Sequence, residues 1–373
     1  MKWSDLRPAG NAISLRIDNR LPTFAGYVPL WVNSGTAALA LSIVAARGLH
    51  PHIAQPEVIL PGYGCPDLIA AAEFAGVRIV LADIGADDPG FNLDALKAAL
   101  SANTIAVVAV NFLGIKERLS EIRELIGPDI ELIEDDAQWF PEPTTDLSGD
   151  FICLSFGRGK PVSLLGGGAL LIKDSLVERV LPWLNIAPNS SGASGSYMLK
   201  VAAYNTLLNP FAYGFISRNP FLKLGETRLK LLTEISALDK QRQQFLTSNV
   251  RIHFNRERAS EEKLREIIAT SARLTDVVAA AGERSARLLR YPVLCKNLKQ
   301  RNRVWEEFRQ AGLGVTAMYQ KTLPEIPDVA QRVYAADNLS GAKAFSERLL
   351  TLPTHSGVKA KHLKHIADIV KAI

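Results

Sequence analysis

Short apolar strands alternate with helices along the N-terminal half of the chain, and this alternation restricts the fold more than any other feature. The strand patterns are apolar on both faces and fall at 58–60, 77–82, 104–112, 130–133, 151–156 and 169–172. Strands without a polar face lie in a sheet that is covered on both sides, and helical connections make neighbouring strands parallel. The pattern therefore predicts an α/β fold with a mostly parallel central sheet flanked by helices.

The C-terminal part of the chain has a different pattern. Residues 185–225 are irregular in sequence, and 228–274 is typical of a long charged helix. Beyond it we expect strands at 290–294 and 315–319, and helices at 302–311, 342–352 and 362–373. This mixture favours a smaller α+β domain, and the chain is long enough for two domains. We therefore predict a large domain over 1–245 and a small C-terminal domain over 246–373.

Charge and cysteine content exclude several classes of protein. The 373 residues contain 43 Lys and Arg against 38 Asp and Glu, and the net charge of +5 is spread along the chain. We therefore expect no nucleic-acid partner, although an anionic ligand would suit the surplus. The three cysteines, Cys65, Cys153 and Cys295, are far apart and form no CxxC pair. We therefore expect neither a disulfide framework nor a metal site.

The apolar segments are too short or too interrupted for export or membrane insertion. The first residues have no apolar stretch of the kind found in signal peptides, and no run of about 18 apolar residues could span a bilayer. We therefore expect a cytoplasmic protein. The most apolar stretch, 198–222, is broken by polar residues such as Lys200 and Asn205. It predicts at most a weak contact with a membrane surface.

Three positions could carry chemistry. Ser34, Gly35 and Thr36 open a helix, where free backbone N–H groups can bind a phosphate, although Ser34 could equally be a plain helix cap. Asp135 ends a strand at the sheet edge where ligands bind, although a solvated loop acid is equally consistent with the sequence. Its neighbour Asp136 should face the other way, because side chains alternate along a strand.

Lys160 is the third position, in a turn rich in glycine. The sequence around it resembles the end of a phosphate-binding P-loop, but Pro161 stands where that motif needs Ser or Thr. An exposed turn lysine is the simpler interpretation, and a Schiff-base lysine reached through an open turn is the functional one.

Taken in order, these segments resemble the DegT/DnrJ/StrS family of pyridoxal-phosphate-dependent sugar aminotransferases, which have fold type I. The resemblance rests on SGTAAL at 34–39, PGYG at 61–64, IEDDAQ at 133–138, LSFGRGK at 154–160, GGGALLIKD at 166–174 and LLTLPTHSGV at 349–358. It covers the chain from about residue 30 to the end. The implied cofactor is pyridoxal 5'-phosphate, and the implied assembly is a homodimer with the cofactor between subunits.

The resemblance also implies roles for individual residues. Lys160 falls on the lysine that binds the cofactor's carbonyl carbon, and Asp135 on the acid that pairs with the ring nitrogen. Gln138 falls on the glutamine that hydrogen-bonds the ring oxygen. The phosphate would be held by the opening of the first helix and by a hydroxyl, at Ser34, Gly35, Thr36 and Ser155.

Two departures from the family pattern concern the cofactor ring and the phosphate. Where the family places an aromatic side chain on the ring face, this chain has Cys65, with Tyr63 two residues earlier. Either Tyr63 moves in to stack on the ring or the thiol covers it. The family's Gly-x-Asn, which reaches across the dimer to the phosphate, is Gly225-Glu226-Thr227 here.

The resemblance implies an aminotransferase that moves an amino group from glutamate to a keto-sugar. We expect a nucleotide-activated acceptor used in polysaccharide or cell-envelope biosynthesis. One alternative is a dehydratase or another lyase with the same cofactor; some dehydrating relatives carry His at the lysine position, which Lys160 does not match. Another is a cofactor-binding regulatory or membrane-peripheral protein without turnover.

Overall fold

A computed structural model describes residues 5–142, 145–188, 194–217 and 227–373. Within these ranges the chain forms an eight-stranded sheet and a three-stranded sheet, with helices packed against both. The expected α/β class, with a mostly parallel sheet flanked by helices and a further α+β region, is confirmed.

The large sheet has the strand order β1-β7-β6-β5-β4-β2-β3-β10. Its strands are β1 Tyr27–Val32, β2 Glu57–Pro61, β3 Arg78–Ala82, β4 Thr104–Val110, β5 Glu131–Asp135, β6 Phe151–Ser155, β7 Gly168–Lys173 and β10 Val333–Ala335. The run from β6 to β10 is parallel, whereas β1 and β7 are antiparallel to their neighbours. Because the parallel strands share one carboxyl edge, residues that follow them in sequence are brought together there.

Helices cover this sheet and bury its apolar strands. They are α1 Gly35–Leu49, α2 Asp67–Ala75, α3 Leu93–Ala99, α4 Leu119–Ile126, α5 Val177–Val180, α6 Ser194–Thr206, α7 Pro210–Ser217 and α8 Lys240–Asn255. The first of them is lined with alanines that are fully buried, such as Ala37, Ala38 and Ala40. Small side chains let the helix lie close to the sheet. Its N-terminus lies at the sheet's carboxyl edge because α1 follows β1 directly, and β1 runs in the same direction as the parallel strands.

The three-stranded sheet lies wholly after residue 245. Its order is β11-β9-β8, from β8 Thr275–Asp276, β9 Arg290–Leu294 and β11 Leu349–Pro353. The surrounding helices are α9 Ala259–Ala269, α10 Val277–Ala281, α11 Leu298–Gln310, α12 Ser340–Arg348 and α13 Ala360–Ala372. The division of the chain near residue 245 stays a prediction, and β10 crosses it by pairing with β3 in the large sheet.

Four segments differ from the sequence-based expectations. The stretch 349–352 is not helical, because it pairs with β9 as an edge strand of the three-stranded sheet. The expected strand at 315–319 is reduced to a single bridge between Thr316 and Thr351. In 228–274, the helices begin only at α8, where Asp239 Oδ1 accepts a hydrogen bond from the Arg242 amide. The stretch 185–225 is helical where α6 and α7 lie, although 189–193 and 218–225 are outside the described residues.

Helices α6 and α7 expose several large apolar side chains. Leu199 is 72% exposed, Phe211 68% and Phe215 75%. Among the described residues, no helix is long and apolar enough to cross a membrane. Contact of 198–222 with a membrane surface stays a prediction, and residues 218–222 of that stretch lie outside the described ranges.

Candidate active site

A pocket at the carboxyl edge of the large sheet brings together most of the candidate residues. Of the residues singled out from the sequence, those that line it are Gly35, Thr36, Cys65, Asp135, Gln138, Ser155 and Lys160. They come from the start of α1, the connection after β2, the ends of β5 and β6, and the turn between β6 and β7. The sheet topology therefore assembles, in one cavity, groups that are far apart in the sequence.

The start of α1 faces the pocket and is held close to the end of β6. Ser34 caps the helix, since its Oγ accepts a hydrogen bond of 3.0 Å from the Ala37 amide. A Cβ at Gly35 would lie 2.5 Å from the Cβ of Ser155, so only glycine allows this approach. The first-turn N–H groups of the helix and the Ser155 hydroxyl thus converge, and such a cradle suits a phosphate dianion. Ser34 itself has the capping role that its sequence context allowed.

The glycine-rich turn after Lys160 lies against the residues that precede α1. Gly166 and Gly167 adopt positive φ angles of 148° and 95°. A Cβ at Gly168 would meet the Ser34 carbonyl oxygen at 2.5 Å. The turn that carries Lys160 is therefore joined tightly to the entry of α1.

The adjacent acids at the end of β5 point to opposite sides, as the alternation of strand side chains predicts. Asp135 lines the pocket and is 8% exposed, and its Oδ1 accepts a hydrogen bond of 2.9 Å from the Ala137 amide. Asp136 is 1% exposed and accepts a hydrogen bond from Asn111 Nδ2, which also donates to Glu134. Of these two adjacent acids, only Asp135 can therefore meet a group bound in the pocket.

Burial and charge set the protonation of Asp135. Burial raises its pKa, while the Ala137 N–H and the positive charge of Lys160 act in the opposite direction. A buried carboxylate is stabilised in its charged form by a cationic partner. Asp135 is therefore suited to hold a protonated ring nitrogen.

Lys160 is half-buried. Among the described residues that line the pocket, it is the one lysine. Its main-chain N–H donates to the Gly157 carbonyl at 3.3 Å, which closes the turn. The side chain is close enough to Asp135 and Cys65 for its charge to lower the pKa of each. The amine therefore stands in the pocket rather than in open solvent, which favours the functional interpretation over an exposed turn lysine.

Cys65 lines the pocket and Tyr63 does not. Tyr63 is 3% exposed, because it packs edge-on against Phe112, Tyr319 and Phe345, and its hydroxyl donates to the Met318 carbonyl. Stacking of Tyr63 on a cofactor ring would require it to leave this cluster. Burial, followed by the charge of Asp67, raises the pKa of Cys65 to about 12, so the thiol is neutral. Of the two residues considered for the ring face, Cys65 is the one that lines the pocket, and its position over a cofactor ring stays a prediction.

Gln138 is fixed at the pocket by both ends of its amide. Its Oε1 accepts a hydrogen bond of 3.1 Å from the Leu113 amide, and its Nε2 donates to the Tyr319 hydroxyl at 3.4 Å. Tyr319 is also close enough to Cys65 to influence the pKa of its thiol. Sequence reasoning gave Tyr319 no role, because the segment at 311–319 that ends in it is distant in the chain from the other pocket residues. Asp67, at the start of α2, was missed as well, although its acid in a first helical turn was a usable signal.

Thr227 lies away from this pocket. It lines a separate cavity together with Arg290 and Tyr319. Gly225 and Glu226, the other members of the expected dimer-crossing motif, lie outside the described residues. The role of Thr227 at a partner's phosphate stays a prediction.

The buried pair of Glu134 and Asp136 gives a prediction about stability. Burial raises the pKa of both carboxyls, and the charge of Glu134 raises that of Asp136 further. Asp136 Oδ2 has no hydrogen-bond partner among the described residues. A pKa raised in the folded state means that the pair destabilises the fold as pH rises above the unfolded value of about 3.9.

We therefore expect Asp136→Asn to increase the free energy of unfolding at neutral pH by about 1 kcal/mol. The gain should shrink as pH falls toward 4, where the wild-type carboxyl becomes protonated in both states. Denaturant unfolding of the two proteins across this pH range measures it. A loss of stability that is the same at every pH would contradict the expected role of the carboxyl charge.

Comparisons with known proteins agree with this fold. The solved structures of similar fold include sugar aminotransferase CalS13 from Micromonospora echinospora, at 18% identity and a TM-score of 0.66, covering 92% of this chain and 87% of that one. They also include the Escherichia coli GDP-4-keto-6-deoxy-D-mannose-3-dehydratase with bound hydrated PLP, at 16% identity and a TM-score of 0.69, covering 93% and 88%. The chain thus has fold type I, the fold that these two enzymes share.

The model of the DegT/DnrJ/EryC1/StrS aminotransferase family matches residues 23–213 and 252–371. The chain belongs to this family, as its motifs predicted. The family depends on pyridoxal phosphate, so the expected cofactor is confirmed.

A curated relative leaves the type of reaction open. GDP-4-keto-6-deoxy-D-mannose 3-dehydratase of Escherichia coli O55:H7 is 29% identical over 166 residues, which is 43% of this chain and 43% of that enzyme. The matched segment thus spans less than half the length of the relative. Both an aminotransferase and a dehydratase are therefore represented among the proteins that this chain resembles.

Proposed function

We propose that this protein is a pyridoxal-phosphate-dependent aminotransferase that moves an amino group from glutamate to a nucleotide-activated keto-sugar. One observation carries the proposal: Lys160, Asp135 and the start of α1 line the same pocket. An amine, a buried carboxylate and a helix N-terminus are the groups that a phosphorylated pyridine aldehyde requires for binding. Family membership supports this arrangement.

Different pocket residues would bind the cofactor and transfer the proton. The cofactor, when bound, acts as an electron sink for the carbon that carries the amino group. Asp135 holds the ring nitrogen protonated, Gln138 donates to the ring oxygen, and the α1 N-terminus with Ser155 binds the phosphate. Lys160 would bind the carbonyl carbon and, once the amino donor has displaced it, its free amine would move the proton on and off the reacting carbon.

We further propose a homodimer, with the partner's Thr227 region completing the phosphate site, and a cytoplasmic setting in polysaccharide or cell-envelope biosynthesis. The net charge of +5 suits a substrate that carries phosphates. The departures at Cys65 and Thr227 affect the surroundings of the cofactor and leave Lys160 and Asp135 in place.

A dehydratase is the second candidate, because the curated relative over 166 residues is a GDP-sugar dehydratase. An enzyme of that kind would remove water from the sugar and leave no nitrogen on it. Lys160 weighs against the variants that carry His at this position. A binding protein without turnover is less favoured, since both Lys160 and Asp135 are present in the pocket.

Absorbance spectra and product masses test the proposal together. Protein mixed with pyridoxal phosphate should gain the visible band of bound cofactor, and glutamate alone should convert it to the near-ultraviolet band of the amine form. With isotopically labelled glutamate and a panel of nucleotide-linked keto-sugars, the label should appear in the sugar. Absence of any bound-cofactor band would exclude both enzyme functions. A product that has lost water without gaining nitrogen would establish the dehydratase instead.

A further inference from the structure

A second cavity adjoins the candidate active site. It has a volume of about 1000 Å³, and its lining includes Arg290, Trp305, Tyr319 and Lys321. Tyr319 lies between the two cavities, because it lines the second one and its hydroxyl accepts from Gln138 Nε2, which belongs to the first. A ligand seated against Arg290 would therefore lie beside the pocket that contains Lys160.

The Arg290 guanidinium forms side-chain hydrogen bonds to described residues through one of its nitrogens only. Its Nη1 donates to Thr316 Oγ1 at 2.6 Å and to Thr351 Oγ1 at 3.3 Å, and these two hydroxyls lie 3.0 Å apart. Its Nε is buried without a hydrogen-bond partner, and Nη2 makes no hydrogen bond to a described residue. The two threonines thus fix the guanidinium plane and leave its Nε–Nη2 edge free. That edge presents two parallel N–H groups, the geometry that matches a carboxylate.

The free edge also lacks a compensating charge. No described Asp or Glu lies within 4.0 Å of Arg290, and burial lowers its pKa to about 10. The neighbourhood is positive as well: burial and then the charges of Arg7, Arg256 and Arg290 lower the pKa of His355 to about 4. A desolvated cation without a partner is costly, and an anionic ligand removes that cost.

We propose that Arg290 binds a carboxylate of the amino acid that donates nitrogen, side-on through Nε and Nη2. This inference rests on the proposed aminotransferase function and adds the residue that recognises the donor. A single planar edge, in a cavity that Trp305 and Tyr319 also line, suits one planar carboxylate better than a diphosphate, which needs donors from several directions. Thr316 is a positioning residue that acts through Arg290.

Binding of glutarate, a dicarboxylate without an amine, tests the assignment apart from turnover. Isothermal titration calorimetry on the cofactor-loaded protein should show that Arg290→Gln weakens glutarate binding by about 10- to 100-fold. Arg290→Lys keeps the charge but loses the paired donors, and should also weaken binding. Thr316→Val should cause a smaller loss, because the guanidinium keeps its charge but loses its orientation. Circular dichroism and thermal unfolding check that each variant is folded.

The matched control is Lys321→Gln, an exposed lysine on the same cavity. It should change glutarate binding by less than about threefold, as expected of an exposed charge. An equal loss in Lys321→Gln would mean a general positive field and would overturn the assignment. Unchanged glutarate binding in both Arg290 variants would overturn it too.

Uridine diphosphate, titrated into the same proteins, separates the donor from a phosphorylated acceptor. Its affinity should be unaffected by Arg290→Gln. A loss for uridine diphosphate with no loss for glutarate would contradict the carboxylate assignment. The absorbance of each sample reports bound cofactor, so failure of the proposed function would appear in the wild-type spectrum and failure of this inference only in the titrations.

Discussion

Lys160→Ala should abolish the visible absorbance band of bound cofactor and lower glutamate-dependent turnover by at least about a thousandfold. The reason is that the variant removes both the amine that anchors the carbonyl carbon and the base that moves the proton. Among the described residues that line the pocket, no other lysine could replace it. Absorbance spectra and single-turnover rates with glutamate measure the two effects separately.

The matched control for Lys160 is Arg158→Ala, on the same turn. Arg158 is exposed and does not line the pocket. Its removal should leave the spectrum and the rate within about twofold of the wild type, since an exposed charge contributes little. If the band survives in Lys160→Ala, or disappears in Arg158→Ala, the assignment of the lysine is wrong.

The central sheet could be predicted because its strands carry their signal locally. The segments around 58–60, 77–82 and 104–112 are apolar on both faces, and that pattern has few alternatives. The opposite orientation of Asp135 and Asp136 followed from the same alternation, which needs no knowledge of tertiary contacts. Helix α1 was predictable from its alanines and leucines and from the small polar residues at its start.

What the sequence could not specify depends on packing between distant segments. The leucines at 349–352 suit a helix or a strand equally, and their pairing with β9 decides the outcome. Tyr63 follows a motif that predicts proximity to the pocket, yet Phe112, Tyr319 and Phe345 hold it in an aromatic cluster. Strand β10 is three residues long, too short for a local pattern.

Some residues at the site also could not be predicted from the sequence, because they come from distant segments. Tyr319 and Arg290 come from the C-terminal part of the chain and line the cavity beside the site, and the sequence suggested a role for neither. Arg290 became a candidate only when the structure showed which of its donors are occupied. Candidates that depend on which of their hydrogen-bond donors are occupied can therefore be recognised only in the structure. Candidates in glycine-rich or acidic motifs can be recognised in the sequence.

Asp135→Asn should lower turnover by about a hundredfold to a thousandfold. The substitution keeps the shape of the side chain and the hydrogen bond from the Ala137 amide, but removes the negative charge. Without that charge the ring nitrogen loses the partner that keeps it protonated, so electron withdrawal from the reacting carbon weakens. Single-turnover rates with glutamate at saturating cofactor measure the loss of chemistry apart from any loss of cofactor affinity.

Cofactor retention should also depend on pH through Asp135. Burial raises the pKa of this carboxyl, and only its ionised form pairs with a cation. Retention by the wild type should therefore fall as pH drops through that pKa, whereas Asp135→Asn should retain cofactor weakly and with little dependence on pH. Asp136→Asn is the control, because its side chain faces Asn111 and Glu134 on the other side of the strand. Equal effects of the two substitutions on retention would show that burial of charge, and not contact with the cofactor, explains the result.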